Sequence, residues 1–342
     1  MRVGLLFGGK SFEHDISIIT ANIIYHSIKD KYEVLLLYID KEGKLYLPKE
    51  MIVDDFVRGK NYKKFNFVEG GIKKHLKKIK LEVIISAMHG LNGEDGLSAF
   101  LSEFYNIPYV GSNRISSGIL MDKYFTYAVL HANKIKTIST KYYFKNDKID
   151  IKKLPIIVKP ARLGSSIGIK KISNIEELND GISHAFKFDE KIIIQPYIES
   201  FRECNQGAFK YNGKIELSNI EEVYKSKDIL SFDDKYIQSK VQRNRIFICD
   251  ELLINKISEL TEKIYKLFDL SGVVRIDYMI IDGEVYVNEV NTIPGSLAYY
   301  LFDEAFDIII DKMIKTAIFD FQNKKDFVFK SSVLQQKYSY KK

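Results

Sequence analysis

Residues 272–302, GVVRIDYMIIDGEVYVNEVNTIPGSLAYYLF, constrain this chain more than any other stretch. Two segments rich in β-branched residues flank Asp282-Gly283, a strong signal for a β-hairpin. Polar groups interrupt both segments: Arg275 and Asp277 on the first, Glu289 and Asn291 on the second. Each pair is spaced i, i+2, so its members point to one face of their strand. The turn decides whether the two pairs meet. A two-residue Asp-Gly loop sets Ile281 opposite Glu284, makes Asp277 face Asn288 and leaves Glu289 on the other side. A three-residue loop, Ile281-Asp282-Gly283 with Gly283 left-handed, sets Arg275 opposite Glu289 and gathers all four groups on one face. The three-residue loop is the expectation. Two carboxylates, a carboxamide oxygen and a guanidinium together describe a hard-cation site beside an anion clamp, and magnesium with nucleotide phosphates suits that donor set. Taken alone, the same pattern also describes a salt-bridged surface hairpin.

At 342 residues and 46% apolar content the chain is expected to bury a sizeable core in two or three domains. Its net charge of +7 comes mostly from lysines spread along the sequence, which speaks for a charged surface and against nucleic-acid binding. Cys204 and Cys249 offer neither a disulfide framework nor a metal spacing, as suits a reducing compartment. The first residues read as a strand with no signal-peptide pattern, and no apolar run approaches the roughly 20 residues of a membrane helix. A cytoplasmic protein without membrane or nucleic-acid partners is expected.

In chain order, residues 2–7 read as a buried parallel strand, followed by a Gly8-Gly9 turn and a helix from about Asp15 to Ser27. GGKSFEHDIS lacks the GxGxxG spacing of a nicotinamide site. Residues 34–39 form a second strand, and 45–67 a lysine-rich, less regular connection. Residues 81–88 are a third strand ending in His89-Gly90 and LNGEDG, where ligands gather in open α/β sheets. Residues 116–130 read as a helix, and 154–172 as a strand, Lys159, and a loop of Gly164, Ser165, Ser166 and Gly168 whose amides and hydroxyls suit phosphate oxygens. Residues 191–198 are a strand. Apolar residues at 253, 257, 260, 264 and 268 mark an amphipathic helix, with Gly272 as its expected stop. Residues 301–321 read as a closing helix, before a frayed lysine-rich end.

The motifs NEVNTIPG after RID, AMHGLNGEDG, VKPARLGSSIGI and GGKSFE together resemble those of the D-alanine–D-alanine ligase family of the ATP-grasp superfamily, over roughly residues 1–315 and in the family's order. The resemblance implies an α/β fold: an N-terminal parallel-sheet domain (1–112), two α+β ATP-grasp subdomains (113–200 and 201–322) and a polar tail (323–342). It implies an ATP-dependent ligase that joins two D-alanines, for peptidoglycan precursors, through an acylphosphate. ATP and two magnesium ions, or manganese, would be the cofactors; D-alanine and ATP are the expected partners, with a homodimer allowed.

Carried over position by position, the resemblance implies that Asp277, Glu289 and Asn291 hold the magnesium ions, and that Lys123, Lys159 and Lys235 neutralise phosphates beside Ser166. Glu13, Ser165 and Tyr236 would form a network around the first substrate. Taken without the family, Glu13 reads as an acid favoured by a helix N-terminus, and Lys123 as an exposed helix lysine. Pro196 and Ile198 would meet the adenine edge with backbone groups, and Glu203 the ribose. Gln195 stands where the family carries an adenine-contacting glutamate; its carboxamide oxygen still accepts an amino proton. Arg275 and the Gly295 amide would stabilise the tetrahedral oxyanion. His89, Ser296, Tyr300 and Leu301 fall near the second substrate, while Glu94 and Asp95 are read as loop structure. Tyr300 replaces a serine, which opens D-serine or another amine as acceptor. A rival from another class is a nucleotide-binding regulatory module that performs no ligation.

Overall fold

The computed structural model describes residues 1–60, 62–223 and 246–324. Three larger sheets organise it. The first has the strand order Lys63–Lys64, Leu45–Leu47, Glu33–Ile39, Arg2–Gly8, Val83–Ser86, Tyr109–Val110, parallel around Arg2–Gly8 and antiparallel at the Leu45 edge. Arg2–Gly8 lies central and buried because its run of apolar residues serves both faces of the sheet. The chain then turns through Gly8 and Gly9, both at positive φ, into the helix His14–Ile28. Residues 66–80, which carry no clear apolar alternation, form a small antiparallel sheet of Asn66–Val68, Gly71–Lys74 and Lys77–Lys80.

The helix expected over 116–130 is two helices, Arg114–Met121 and Lys123–Ala132. Asp122 separates them: its backbone is extended and its carboxylate accepts from the amides of Tyr124 and Phe125, a capping geometry that starts a second helix in a new direction. The second large sheet is antiparallel, in the order Lys141–Phe144, Lys191–Pro196, Ile156–Pro160, Lys170–Ile172. The helix Leu178–Ala185 covers it over Ile156, Val158, Ile192 and Ile194.

The third sheet runs Ile246–Phe247, Lys214–Val223, Arg202–Tyr211, Val274–Ile281, Glu284–Asn291, all antiparallel. The helix Glu251–Leu267, capped by Asp250, buries Ile257 and Ile264 against it. That helix ends at Leu267, so Gly272 is not its stop. Gly272 is there for proximity: a Cβ on it would sit 2.9 Å from the Gly111 Cα. The closing helix Phe306–Gln322 buries Ile309, Ile310, Met313 and Ile314 in the same core as Val3, Leu5 and Phe7, which returns the chain to the first sheet.

The hairpin turn differs from expectation. Ile281 pairs with Glu284, and Asp282 and Gly283 sit at φ 50° and 77°, a two-residue turn with both central residues left-handed. The four polar groups nevertheless meet, because the register shifts beyond Tyr278–Val287: Asp277 faces Glu289 and Arg275 faces Asn291, with Asn288 as the extra residue of a bulge. Beside the bulge, the Val287 amide donates to the Lys136 carbonyl (2.9 Å), which pairs the outer edge of this strand.

Candidate active site

The site is built on the strands Val274–Ile281 and Glu284–Asn291. Arg275 forks onto Asp277, Nε to Oδ1 at 2.7 Å and Nη2 to Oδ2 at 2.8 Å, and the Asn291 amide donates to the same Oδ2 at 3.1 Å. Burial works against the Arg275 cation, but Asp277 and the Tyr300 hydroxyl outweigh it and hold the guanidinium well above its ordinary range. Tyr300 is therefore a partner of Arg275. It stands at the end of a turn, Gly295–Leu301, in which Ser296, Leu297 and Ala298 all have left-handed backbones (φ 49° to 52°). Three consecutive non-glycine residues in that region cost about 1 kcal/mol or more each, and such strain clusters at binding sites. The Gly295 amide makes no hydrogen bond to the described residues. Leu301 is fully buried in the core and presents no exposed surface to a ligand.

The second wall carries lysines. Lys123 Nζ is 2.8 Å from Glu289 Oε1 and donates to the Leu163 carbonyl at 2.7 Å. Its place is fixed from behind: its amide donates to Ala161, and its neighbour Asp122 takes both hydrogen bonds of the buried Lys191 ammonium. One cleft is lined by Lys123, Thr140, Lys159, Gln195, Asn288 and Glu289. The Gln195 amide nitrogen donates to Thr140 Oγ1 at 2.8 Å, and the Ile198 amide makes no hydrogen bond to the described residues. Glu203 is half-buried on the neighbouring strand opposite Met279. The loop after Lys159 holds Ser165 and Ser166 at φ 53° and 61°, conformations that turn successive amides toward one side.

Glu13 is where helix-end and substrate-network readings part. It precedes the helix His14–Ile28 but makes no capping bond. Instead its carboxylate accepts a hydrogen bond from the Ser165 hydroxyl, 152 positions away in sequence. Glu94, read as loop structure, does accept from the Gly90 amide at 2.9 Å, and Asp95 likewise ties the amides of Asn92 and Leu97. Glu94 is also part of the site. Burial, with the nearby Glu13 charge adding, raises its carboxyl above the usual carboxylate range. The spacing of the GEDG motif after His89 was the available signal.

His89 is 4% exposed and lies behind the site. Thr20 Oγ1 accepts from the Ser296 amide at 3.2 Å; the other ring nitrogen of His89 donates to the Ile293 backbone, so in the neutral ring Nε2 accepts from the Thr20 hydroxyl at 2.8 Å. Burial pushes the ring down to about 4, which keeps it neutral. His89 orients the turn at Ser296 and offers no free edge to a ligand. Lys235 and Tyr236 lie outside the described residues. A residue the motifs did not indicate is Asn205, in register with Asp277 on the next strand, whose buried Oδ1 has no hydrogen-bond partner among the described residues.

Family models for the D-ala D-ala ligase N-terminus and C-terminus match residues 2–112 and 122–309. The chain belongs to the D-alanine–D-alanine ligase family. It is 38% identical to the D-alanine–D-alanine ligase of Thermosipho africanus, with 96% of each chain covered. The crystal structure of the Helicobacter pylori ligase is similar over 92% of this chain and 98% of its own, at 30% identity and a TM-score of 0.79. The Bacillus anthracis ligase in complex with ATP is similar over 95% of this chain and all of its own, at 25% identity and a TM-score of 0.67. The α/β fold described above is thus that of the ATP-grasp ligases, as the resemblance implied. Among the described residues no helix is long and apolar enough to cross a membrane.

Proposed function

We propose that this ATP-dependent ligase joins two D-alanines in a cleft whose residues divide the work as follows. The carrying observation is that Lys123, Lys159, Gln195 and Glu289 line one cleft, beside which Arg275, Asp277 and Asn291 are bonded to one another. Lys123 and Lys159 neutralise phosphate charge, the backbone after Gln195 meets adenine, and Glu203 takes the ribose. The Glu13–Ser165 pair holds the ammonium of the first D-alanine, whose carboxylate attacks the γ-phosphate to give an acylphosphate and ADP. Tyr300 and the turn at Ser296 border the second amino acid, whose amine attacks the acyl carbon and expels phosphate. Arg275 and the Gly295 amide face the oxyanion formed in that attack. Phosphoryl transfer needs positioning and charge neutralisation more than a protein nucleophile.

The donor set of Asp277, Glu289 and the Asn291 oxygen suits magnesium. Among the described residues no three acidic, histidine or cysteine groups are placed to cage a metal, so an ion held here would take its remaining oxygens from phosphates and water. The orphaned Asn205 Oδ1 beside Asp277 is an acceptor that a hydrated cation's water would satisfy. Magnesium, when bound, would screen the β- and γ-phosphates and polarise the phosphorus under attack. Small-molecule partners and a cytoplasmic setting go with this reading. A phosphate-release screen with ATP, magnesium and pairs of D- and L-amino acids tests it. D-alanine alone should support turnover to the dipeptide. Turnover only with another acceptor would shift the second substrate, and ATP binding without release under any pair would leave a regulatory module.

A further inference from the structure

A carboxamide in the adenine position poses a problem that a carboxylate does not. Rotated by half a turn, Gln195 would present a donor in place of an acceptor and greet a 6-oxo purine as readily as a 6-amino purine. Thr140 removes that freedom. It is buried and stands next to Gln195 because Lys141 pairs with Ile194 in the sheet. Its hydroxyl proton is spent on the Ile138 carbonyl at 2.8 Å, so toward Gln195 the Thr140 oxygen can only accept. The atom at 2.8 Å from it must then be the amide nitrogen. The flipped rotamer would set two oxygens together, or force the Thr140 hydroxyl to turn from Ile138 and leave that carbonyl without its donor. Gln195 Oε1 receives no hydrogen bond from the described residues, and both side chains line the cleft of Lys123 and Lys159.

We propose that Thr140 is a positioning residue that locks Gln195 as a pure acceptor, so that the cleft selects 6-amino over 6-oxo purine nucleotides. The selection follows from polarity: an exocyclic amino group donates to Oε1, whereas a 6-oxo group meets it lone pair to lone pair. This rests on the reading of the cleft as the nucleotide site, and the experiment separates the two. The KM and kcat for ATP and GTP are measured at saturating D-alanine for the wild type, Thr140→Val and Thr140→Ser, with ATP binding to each followed by calorimetry. Thr140→Val should lower the preference for ATP over GTP about tenfold, the worth of one hydrogen bond, mainly through KM. Thr140→Ser should keep the wild-type ratio. Gln195→Glu placed on Thr140→Val should restore it, because a carboxylate accepts at either oxygen. An unchanged ratio in Thr140→Val would overturn the lock. If that variant does not fold, Thr140→Ala carries the same prediction, with the same reversal. A wild type that binds no ATP would overturn the nucleotide reading and the lock with it.

Discussion

Asp122 and Lys123 are adjacent in the chain, and each makes an ion pair with a distant residue. Asp122 pairs with Lys191 at 2.8 Å, with side chains 7% and 6% exposed, and the ammonium lies within about 5 Å of the rings of Tyr124, Phe125 and Tyr142. Lys123 pairs with Glu289 at the same distance, but the two are 17% and 33% exposed and border the cleft. The first pair is closed: the carboxylate holds the ammonium and two helix amides, and nothing else can enter. The second is open and can exchange its partner for a phosphate or a cation. One residue step therefore separates an anchor from a working group, and the anchor points the working group at the cleft.

The sharpest way to break this contrast is to remove one side of each pair. Glu289→Gln should cut magnesium-dependent ADP formation at least about a hundredfold, the usual scale for losing a charge-stabilising group. Its melting temperature should stay within about 3 °C, since the side chain faces the cleft. Near-normal turnover would take Glu289 out of the mechanism. Lys191→Met should do the reverse. Leaving Asp122 buried without its cation should cost about 3 kcal/mol or more in urea unfolding. A loss below about 1 kcal/mol would mean that the aromatic cage, and not the pair, holds this corner.

His89 extends the comparison to a neutral anchor. Its ring titrates near 6.5 in an unfolded chain and at about 4 in the fold. The folded value is the lower one, so as pH falls below about 6.5 the unfolded state takes a proton that the fold refuses. Stability then drops until pH reaches about 4, by on the order of 3 kcal/mol in all. Glu94 acts in the opposite sense over part of this range, because its raised carboxyl favours the fold at lower pH. The readout is thus the stability difference between wild type and His89→Gln, which should narrow from pH 7 to pH 4.5. A constant difference would mean that His89 takes up a proton in the fold as readily as in the unfolded chain.

Much of the site was legible because it sits in contiguous motifs with side chains of one purpose. RID, NEVN and VKPARLGSS carried Arg275, Asp277, Glu289, Asn291, Lys159 and Ser165 on sight. Long-range partners of bland residues were not. Thr140 is an ordinary loop threonine until the sheet sets it beside Gln195. Glu94 reads as a turn residue until the fold brings Glu13 close. The bulge at Asn288 escaped for another reason: register depends on the strand twist and on what borders the edge, here the segment at Lys136, and neither is written in the hairpin itself. The right face was inferred from the wrong turn.

Tyr300 tests how far the open side of the site tolerates change. Its hydroxyl is bonded to Arg275, and on the proposed reading its ring would fill space that a serine would leave to the acceptor. Tyr300→Ser should lower the apparent KM for D-alanine as acceptor by roughly five- to tenfold, about 1–1.5 kcal/mol. The KM for ATP should move less than about twofold, since the proposed adenine end is at Gln195, in the cleft of Lys123 and Lys159. Identical acceptor saturation curves would place Tyr300 outside the acceptor's path.

The smallest expected effect belongs to the turn that joins the two working strands. Gly283 has φ 77° and no atom within 4 Å of a would-be Cβ, so alanine there meets no neighbour and costs only its left-handed backbone. That cost is about 1 kcal/mol whether the loop has two residues or three, because a two-residue turn of this hand needs positive φ at both centres. The polar groups lie beyond the bulge, where Asp277 and Glu289 are held by their own bonds to Arg275, Asn291 and Lys123. Gly283→Ala should therefore lose about 1 kcal/mol in urea unfolding and leave turnover unchanged. A matching loss of activity would show that the turn sets the register after all. An unchanged stability would mean that the backbone at Gly283 is not left-handed in solution.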